Sequence, residues 1–277
     1  VHTRDSEEIN LMDQKEILEN IGKIEIREGR ERTIKSYVLR NNILEDKEKD
    51  AVVKYMPHYG LFFKDEMLDY SAIFSNDNPT IIEIGFGNGE TTAKMALIKP
   101  ENNYIGLEVY LKGFVQLLKT LGENDIDNVR IMRFNAVDVL EHMIPDESVE
   151  GFHIFFPDPW PKKKHHKRRI MNPSFLHLLA TKLKKGGYIY MVTDWQEYAD
   201  EVLELVKDEP RIEVCELKTK YPQGGERQLI YAVTGRAINS KMLPADAGCI
   251  VDNVETIIAV YNAVKNGIPV MKRIATI

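Results

Sequence analysis

The segment Phe155-Phe156-Pro157-Asp158-Pro159-Trp160-Pro161 runs straight into Lys162-Lys163-Lys164-His165-His166-Lys167-Arg168-Arg169. An acid held among prolines and a tryptophan thus stands directly before eight residues of which six are cationic. A charge run alone is usually a solvated face, but its coupling to Asp158 and Trp160 suits chemistry on a nucleic acid. The apolar run over residues 151–156 reads as a buried strand that stops at Pro157. Asp158 is therefore expected at the carboxyl end of a strand, the edge of an open α/β sheet where ligands bind.

A second constellation lies upstream, where Thr80-Ile81-Ile82-Glu83-Ile84-Gly85-Phe86-Gly87-Asn88-Gly89 leads from a strand into a helix beginning near Thr91. Glycines at 85, 87 and 89 let the backbone approach a ligand closely. A dinucleotide site spells G-x-G-x-x-G and lays a pyrophosphate on the helix N-terminus. Here the spacing is G-x-G-x-G, and Glu83 inside the strand would repel a pyrophosphate. It suits a ligand with a cationic or amino group, such as the amino-acid end of S-adenosylmethionine. About twenty residues on, Tyr104-Ile105-Gly106-Leu107-Glu108 is another strand ending in an acid, placed for the two hydroxyls of a ribose.

Strand and helix then alternate. Residues 128–134 form a third strand with Asn135-Ala136 at its exit and a short helix over 137–143. Asn172-Pro173 opens a helix as N-cap and first-turn proline, Lys184-Lys185-Gly186-Gly187 closes it, and a strand over 188–193 delivers Asp194 and Trp195. This pattern implies parallel pairing and a doubly wound α/β sheet. Its strand ends carry Glu83, Glu108, Asn135, Asp158 and Asp194.

The segments E-I-G-F-G-N-G, G-L-E, N-A-V-D-V-L, F-F-P-D-P-W, K-R-R-I and T-D-W occur in the order shown by bacterial tRNA (guanine-N7-)-methyltransferases. Residues 30–205 resemble that family, and Arg32-Thr33-Ile34-Lys35-Ser36-Tyr37-Val38 resembles its N-terminal arm. The resemblance implies a Rossmann-like class I S-adenosylmethionine-dependent methyltransferase, mostly parallel, with tRNA as partner. Position by position, it implies that Glu83, Gly85, Phe86, Gly87, Gly89, Glu108, Asn135 and Ala136 bind the cofactor. Asp158 takes a catalytic or cofactor role, and Lys162 and Asp194 contact the substrate.

The chemistry suits those assignments. Guanine N7 carries a free lone pair and can attack a sulfonium methyl in line without first losing a proton, so no strong general base is needed. Orientation is the main task, and proximity supplies roughly 7 to 11 kcal/mol in favourable intramolecular cases. Asp158 and Asp194 can accept from the guanine N1–H and amino group or from the cofactor's ammonium, and Lys162 can meet a phosphate. Trp160 or Phe86 can stack on an unstacked base; either can equally be a wall of the core, and for Phe86 the wall is favoured.

Composition supports this only in part. The chain has 277 residues, 43% of them hydrophobic, enough for a substantial core, and its formal net charge is -6, unlike a typical nucleic-acid binder. Phosphate attraction must come from a local stripe, residues 27–35 and 162–169. Asp5, Glu7, Glu8, Asp13 and Glu16 fall in residues 1–29, which read as a mobile acidic tail. With no apolar run near membrane-spanning length and no signal peptide, a cytoplasmic protein away from membranes is expected. Cys215 and Cys249 are the only cysteines and lack C-x-x-C spacing, which argues against a cysteine-rich metal site.

After residue 205 the pattern changes. The family ends with T-x-F-E, whose threonine and acid contact the substrate, and this chain reads Thr219-Lys220-Tyr221-Pro222. Thr219 is retained as a substrate contact, while Pro222 replaces the acid and Glu226 is the nearest substitute. Residues 206–277 form an atypical C-terminal segment resembling a fragment of the C subunit of Rnf-type electron-transport complexes. The glycine-rich segment and C-x-x-C repeats of that family are absent here. Two competing functions follow: a flavin- or NADH-linked electron-transfer fragment, or an RNA-binding protein with impaired catalysis. Residues 212–217 and 228–233 alternate like a hairpin that can close the sheet, and residues 254–264 have helical periodicity.

Overall fold

The computed structural model describes residues 12–26, 34–38, 43–220 and 230–237, with the backbone course alone for 213–220 and 230–237. The described chain divides into two compact units. The first takes the residues up to Pro145 other than 34–36, and the second takes 34–36 and the residues from Asp146 onward.

The first unit holds helices α1 (Gln14–Gly22), α2 (Asp46–Tyr59), α3 (Tyr70–Phe74), α4 (Glu90–Ile98), α5 (Leu111–Glu123) and α6 (Ala136–His142). Its strands are β1 (Gly60–Leu61), β2 (Thr80–Ile84), β3 (Asn103–Leu107) and β4 (Val129–Met132), all parallel, in the order β1-β4-β3-β2. Every residue of β2 and β3 is buried, as expected for a parallel sheet covered on both faces. Helix α5 buries Leu111, Phe114, Leu117, Leu118 and Leu121, an apolar stripe at helical spacing.

Residues 1–29 were expected as a mobile acidic tail, yet part of that range is packed. Asp13 caps α1 by accepting from the Glu16 N–H at 2.8 Å, and Ile17, Ile21 and Ile24 are buried. Isoleucines spaced four and three apart give this acidic stretch an apolar face, and that face overrides the charge. Residues 1–11 and 27–29 lie outside the described residues.

The second unit pairs β5 (Val149–Phe155) parallel to β6 (Leu183–Thr193). It adds α7 (Pro173–Lys182), α8 (Gln196–Asp208), and the strands β7 (Ile212–Lys220) and β8 (Ile230–Ala237). Asn172 caps α7, accepting from Phe175 N–H at 3.1 Å with Pro173 in the first turn, as the sequence implies. Lys184-Lys185-Gly186-Gly187 does not close that helix but lies within β6. Gly186 has φ +78°, and a Cβ on Gly187 would come 2.9 Å from the Glu150 carbonyl, so the glycines carry the strand past an irregularity in the β5 register. The expected hairpin forms: β7 and β8 are antiparallel, and β8 pairs antiparallel with β6. Parallel strands joined through helices and finished by this hairpin make the Rossmann-like α/β fold.

Candidate active site

In the first unit, β2 delivers Glu83 and then turns through Gly85, Gly87 and Gly89, all left-handed, with φ of 75°, 57° and 75°. A Cβ on Gly85 or Gly87 would meet nothing within 4 Å, so this face of the loop is open. Gly89 differs, since its Cβ would lie 2.5 Å from Leu117 Cβ and wedge α5 away. Phe86 is 6% exposed and packs against Gly106, which makes it the wall the sequence favours, with only its backbone left to face a ligand.

Glu83 is 1% exposed and its Oε2 has no hydrogen-bond partner. Burial pushes its carboxyl up to about 7; the nearby Thr92 hydroxyl opposes that rise and the Glu108 charge adds to it. Glu108 is better served: Oε2 accepts from Gly87 N–H at 2.8 Å, and Oε1 from Val109 and Tyr110 N–H at 2.7 and 2.9 Å. Burial still raises its pKa, against those amides and the attraction of Arg133. An open cradle, an orphaned carboxylate oxygen and a second, backbone-held carboxylate with one acceptor site left fit an ammonium and a hydroxyl.

Asn135 caps α6 with Oδ1, which accepts from Val137 N–H at 3.1 Å, while its own N–H donates to the Ile24 carbonyl at 2.7 Å. Ala136 is the first residue of that helix. The segment after α1 is fastened beside them, with Ile26 N–H donating to Asp138 at 3.1 Å and the Arg133 guanidinium donating to the Ile21 carbonyl. Arg133 Nε also donates to the Val109 carbonyl at 3.1 Å, next to Glu108. Beneath this segment lies a cavity of about 550 Å³ lined by residues 20–26, 61–63 and 132–134, which include none of the expected cofactor residues.

In the second unit, Phe155 is paired with Val192 and Phe156 N–H donates to the Val192 carbonyl at 2.7 Å, so the elbow begins at the end of β6. Phe156 and Trp160 both adopt left-handed backbone, φ 49° and 44°. For bulky residues this costs about 1 to 2 kcal/mol each, and such strain gathers at functional sites. Side-chain anchors hold the turn. Arg169 Nε donates to the Pro159 carbonyl at 2.9 Å, Trp160 Nε1 donates to the Ser36 carbonyl at 3.2 Å, and the Arg168 guanidinium lies 4.1 Å over the Trp160 ring. Asp158 is exposed at the tip.

The basic stripe is narrower than the sequence suggests. Lys162, Lys163, Lys164 and Lys167 are exposed, but Arg169 is 2% exposed and pairs with Glu201, and Arg168 reaches back to the Lys35 carbonyl at 3.0 Å. The two arginines brace the elbow. Trp160, which the sequence left open as a stacking surface or a wall of the core, carries Arg168 on one face. Residues 27–33 of the proposed stripe, together with Pro222, Glu226 and residues 254–264, lie outside the described residues.

Asp194 follows β6, and Trp195 N–H donates to the Thr193 hydroxyl at 3.2 Å. Thr193 pairs with Tyr231 on β8, and Tyr231 pairs with Thr219 on β7, so the backbone of Thr219 stands in the same row one residue before Asp194. The geometry also adds residues that sequence reasoning missed. Gly113 on α5 admits no side chain, since a Cβ would sit 2.0 Å from the Gly87 carbonyl, and Arg133 links Glu108's neighbour to the N-terminal segment.

A family model described as "Putative methyltransferase" matches residues 77–240, which takes in the closing hairpin beyond residue 205. The chain is 45% identical to a tRNA (guanine-N(7)-)-methyltransferase of Nitrosospira multiformis, covering 65% of this chain and 79% of that one. It is 46% identical to the protein of the same name in Methylobacillus flagellatus, covering 70% and 81%, and 44% to that of Cupriavidus metallidurans, covering 66% and 70%. Among solved structures it is similar to the 16S rRNA methyltransferase KamB, with a TM-score of 0.47 at 13% identity over 62% of this chain and 95% of that chain, a likeness too distant to bear on the site. An open glycine loop flanked by two acids, a braced Asp158 elbow and identity of this extent lead to one assignment: the chain belongs to the tRNA (guanine-N7-)-methyltransferase family.

Proposed function

We propose that this protein transfers the methyl group of S-adenosylmethionine to N7 of a guanine in tRNA. The observation that carries the reading is identity of 45% and 46% to relatives of that name across 79% and 81% of their lengths. When bound, S-adenosylmethionine supplies an electrophilic methyl group. The residues of this chain have three tasks: to hold it, to hold the base, and to keep the two aligned.

Glu83, with its orphaned oxygen, meets the cofactor's ammonium, and Glu108 keeps one acceptor site, on Oε2, for a ribose hydroxyl. Gly85 and Gly87 leave the space, and the Asn135–Ala136 turn completes the binding edge. Asp158 and Asp194 accept hydrogen bonds from the base, with Thr219 in the same row of the sheet as the residue before Asp194. N7 gains a methyl group and a positive charge with no proton to remove, so an exposed carboxylate at Asp158 suits an orienting and charge-stabilising role better than that of a base. Lys162 and its neighbours contact phosphates. A protein that acts on tRNA is read as cytoplasmic. Among the described residues, no helix is long and apolar enough to cross a membrane and no group of three or more side chains could hold a metal ion.

The decisive experiment offers labelled S-adenosylmethionine to unmodified tRNA and maps the product by chemical cleavage at N7-methylguanine, beside calorimetric binding of the cofactor alone. Label at a single guanine is expected. Cofactor binding without product would favour an RNA-binding protein that has lost turnover, and absence of cofactor binding would sink the reading of the glycine loop.

A further inference from the structure

The chain has two tryptophans, and the structure leaves them in opposite states. Trp160 donates its indole N–H to Ser36, carries Arg168 on its face and meets the edge of His165 at 6.0 Å. Trp195 is 37% exposed, and among the described residues its indole has neither a hydrogen-bond partner nor a stacked ring or cation.

Its position is as informative as its exposure. Phe155 and Val192 are partners across two parallel strands, and the chain runs three residues from each, 155 to 158 and 192 to 195, to reach Asp158 and Trp195. Both therefore leave the same edge of the second unit, with Asp194 immediately before Trp195. The other aromatic candidates are committed: Phe86 is buried and Trp160 is covered. An unpartnered indole beside an acid that can bind the edge of a purine offers what such an acid lacks, a surface for the face of the ring.

We infer that Trp195 is the stacking platform for the purine presented to Asp194. This rests on the reading that the site acts on a guanine in tRNA. The base sits with its edge to the carboxylate and its face on the indole, which resists its return into the tRNA stack.

The test measures kcat/KM on unmodified tRNA, calorimetric affinity for S-adenosylmethionine, and intrinsic fluorescence during tRNA titration. Trp195→Ala should lower kcat/KM roughly 10- to 100-fold and leave cofactor affinity unchanged, while Trp195→Phe, which keeps an aromatic face, stays within about threefold of wild type. tRNA should quench wild-type fluorescence, and that quench should vanish in Trp195→Phe, whose remaining tryptophan is Trp160. Wild-type turnover in Trp195→Ala, or a quench that persists in Trp195→Phe, would overturn the inference. If Trp195→Ala fails to fold, Trp195→Phe and the quench still decide. Wild-type protein that methylates no tRNA would defeat the functional reading instead, and the quench would then show by itself whether Trp195 meets nucleic acid.

Discussion

The glycine loop of the first unit and the elbow of the second both turn the backbone into the left-handed region, and they do so with opposite residues. The loop uses Gly85, Gly87 and Gly89, and the elbow uses Phe156 and Trp160. Glycine reaches that conformation without steric cost and leaves the face of the loop empty for a ligand. The aromatic residues reach it only under strain, and the elbow persists because Arg168, Arg169 and the Ser36 carbonyl hold it. One turn leaves space on its face; the other holds an exposed carboxylate on a braced backbone.

Asp158→Ala tests that division most severely. Methyl transfer should fall at least roughly 100-fold while cofactor affinity stays measurable, because the first unit's loop is untouched. Turnover near wild type would take Asp158 out of the mechanism. The converse variant, Gly113→Ala, places a methyl 2.0 Å from the Gly87 carbonyl and must move the loop. Cofactor affinity measured by calorimetry should fall at least about tenfold, with about 1 to 3 kcal/mol of stability lost through overpacking.

Glu83→Gln separates binding from stability. The folded pKa of Glu83 is raised from 4.5 to about 7, so the folded state holds its proton more tightly, and the protein loses stability as pH rises through that window. Removing the titration should raise apo stability at pH 8 by up to about 3 kcal/mol, read from urea midpoints, while cofactor affinity falls. An unchanged midpoint would mean that the carboxylate is already stabilised in the apo protein. Lys162→Ala combined with Lys163→Ala should give the smallest effect, weaker tRNA binding with a log–log salt slope flatter by about 2. An unaltered slope would show that these exposed lysines meet only solvent.

The strands and the glycine loop were legible because their signals are local: apolar runs bounded by turns, and closely spaced glycines where the backbone turns left-handed. The closing hairpin was legible for the same reason, since its alternation survived the change of sequence character after residue 205. What escaped depends on partners distant in sequence. Gly113 looks like an ordinary helical glycine until the Gly87 carbonyl is set against it. Arg169 reads as part of a basic run until Glu201, on another helix, claims it. The isoleucine stripe of α1 was masked by the acids around it. Lys184-Lys185-Gly186-Gly187 carries a helix-stop signature but serves as a kink inside β6, a choice made by pairing with β5.

The order of the last strands has a consequence for how the molecule is made. Among the described residues β8 comes last in the chain, yet it lies between β6 and β7. During synthesis β7 emerges before the strand it must pair with, so the row through Thr193, Tyr231 and Thr219 is completed only after residue 237 has left the ribosome. The glycine loop and the strands of the first unit are all synthesised before that row can close, so the sheet gains its antiparallel edge after its parallel part.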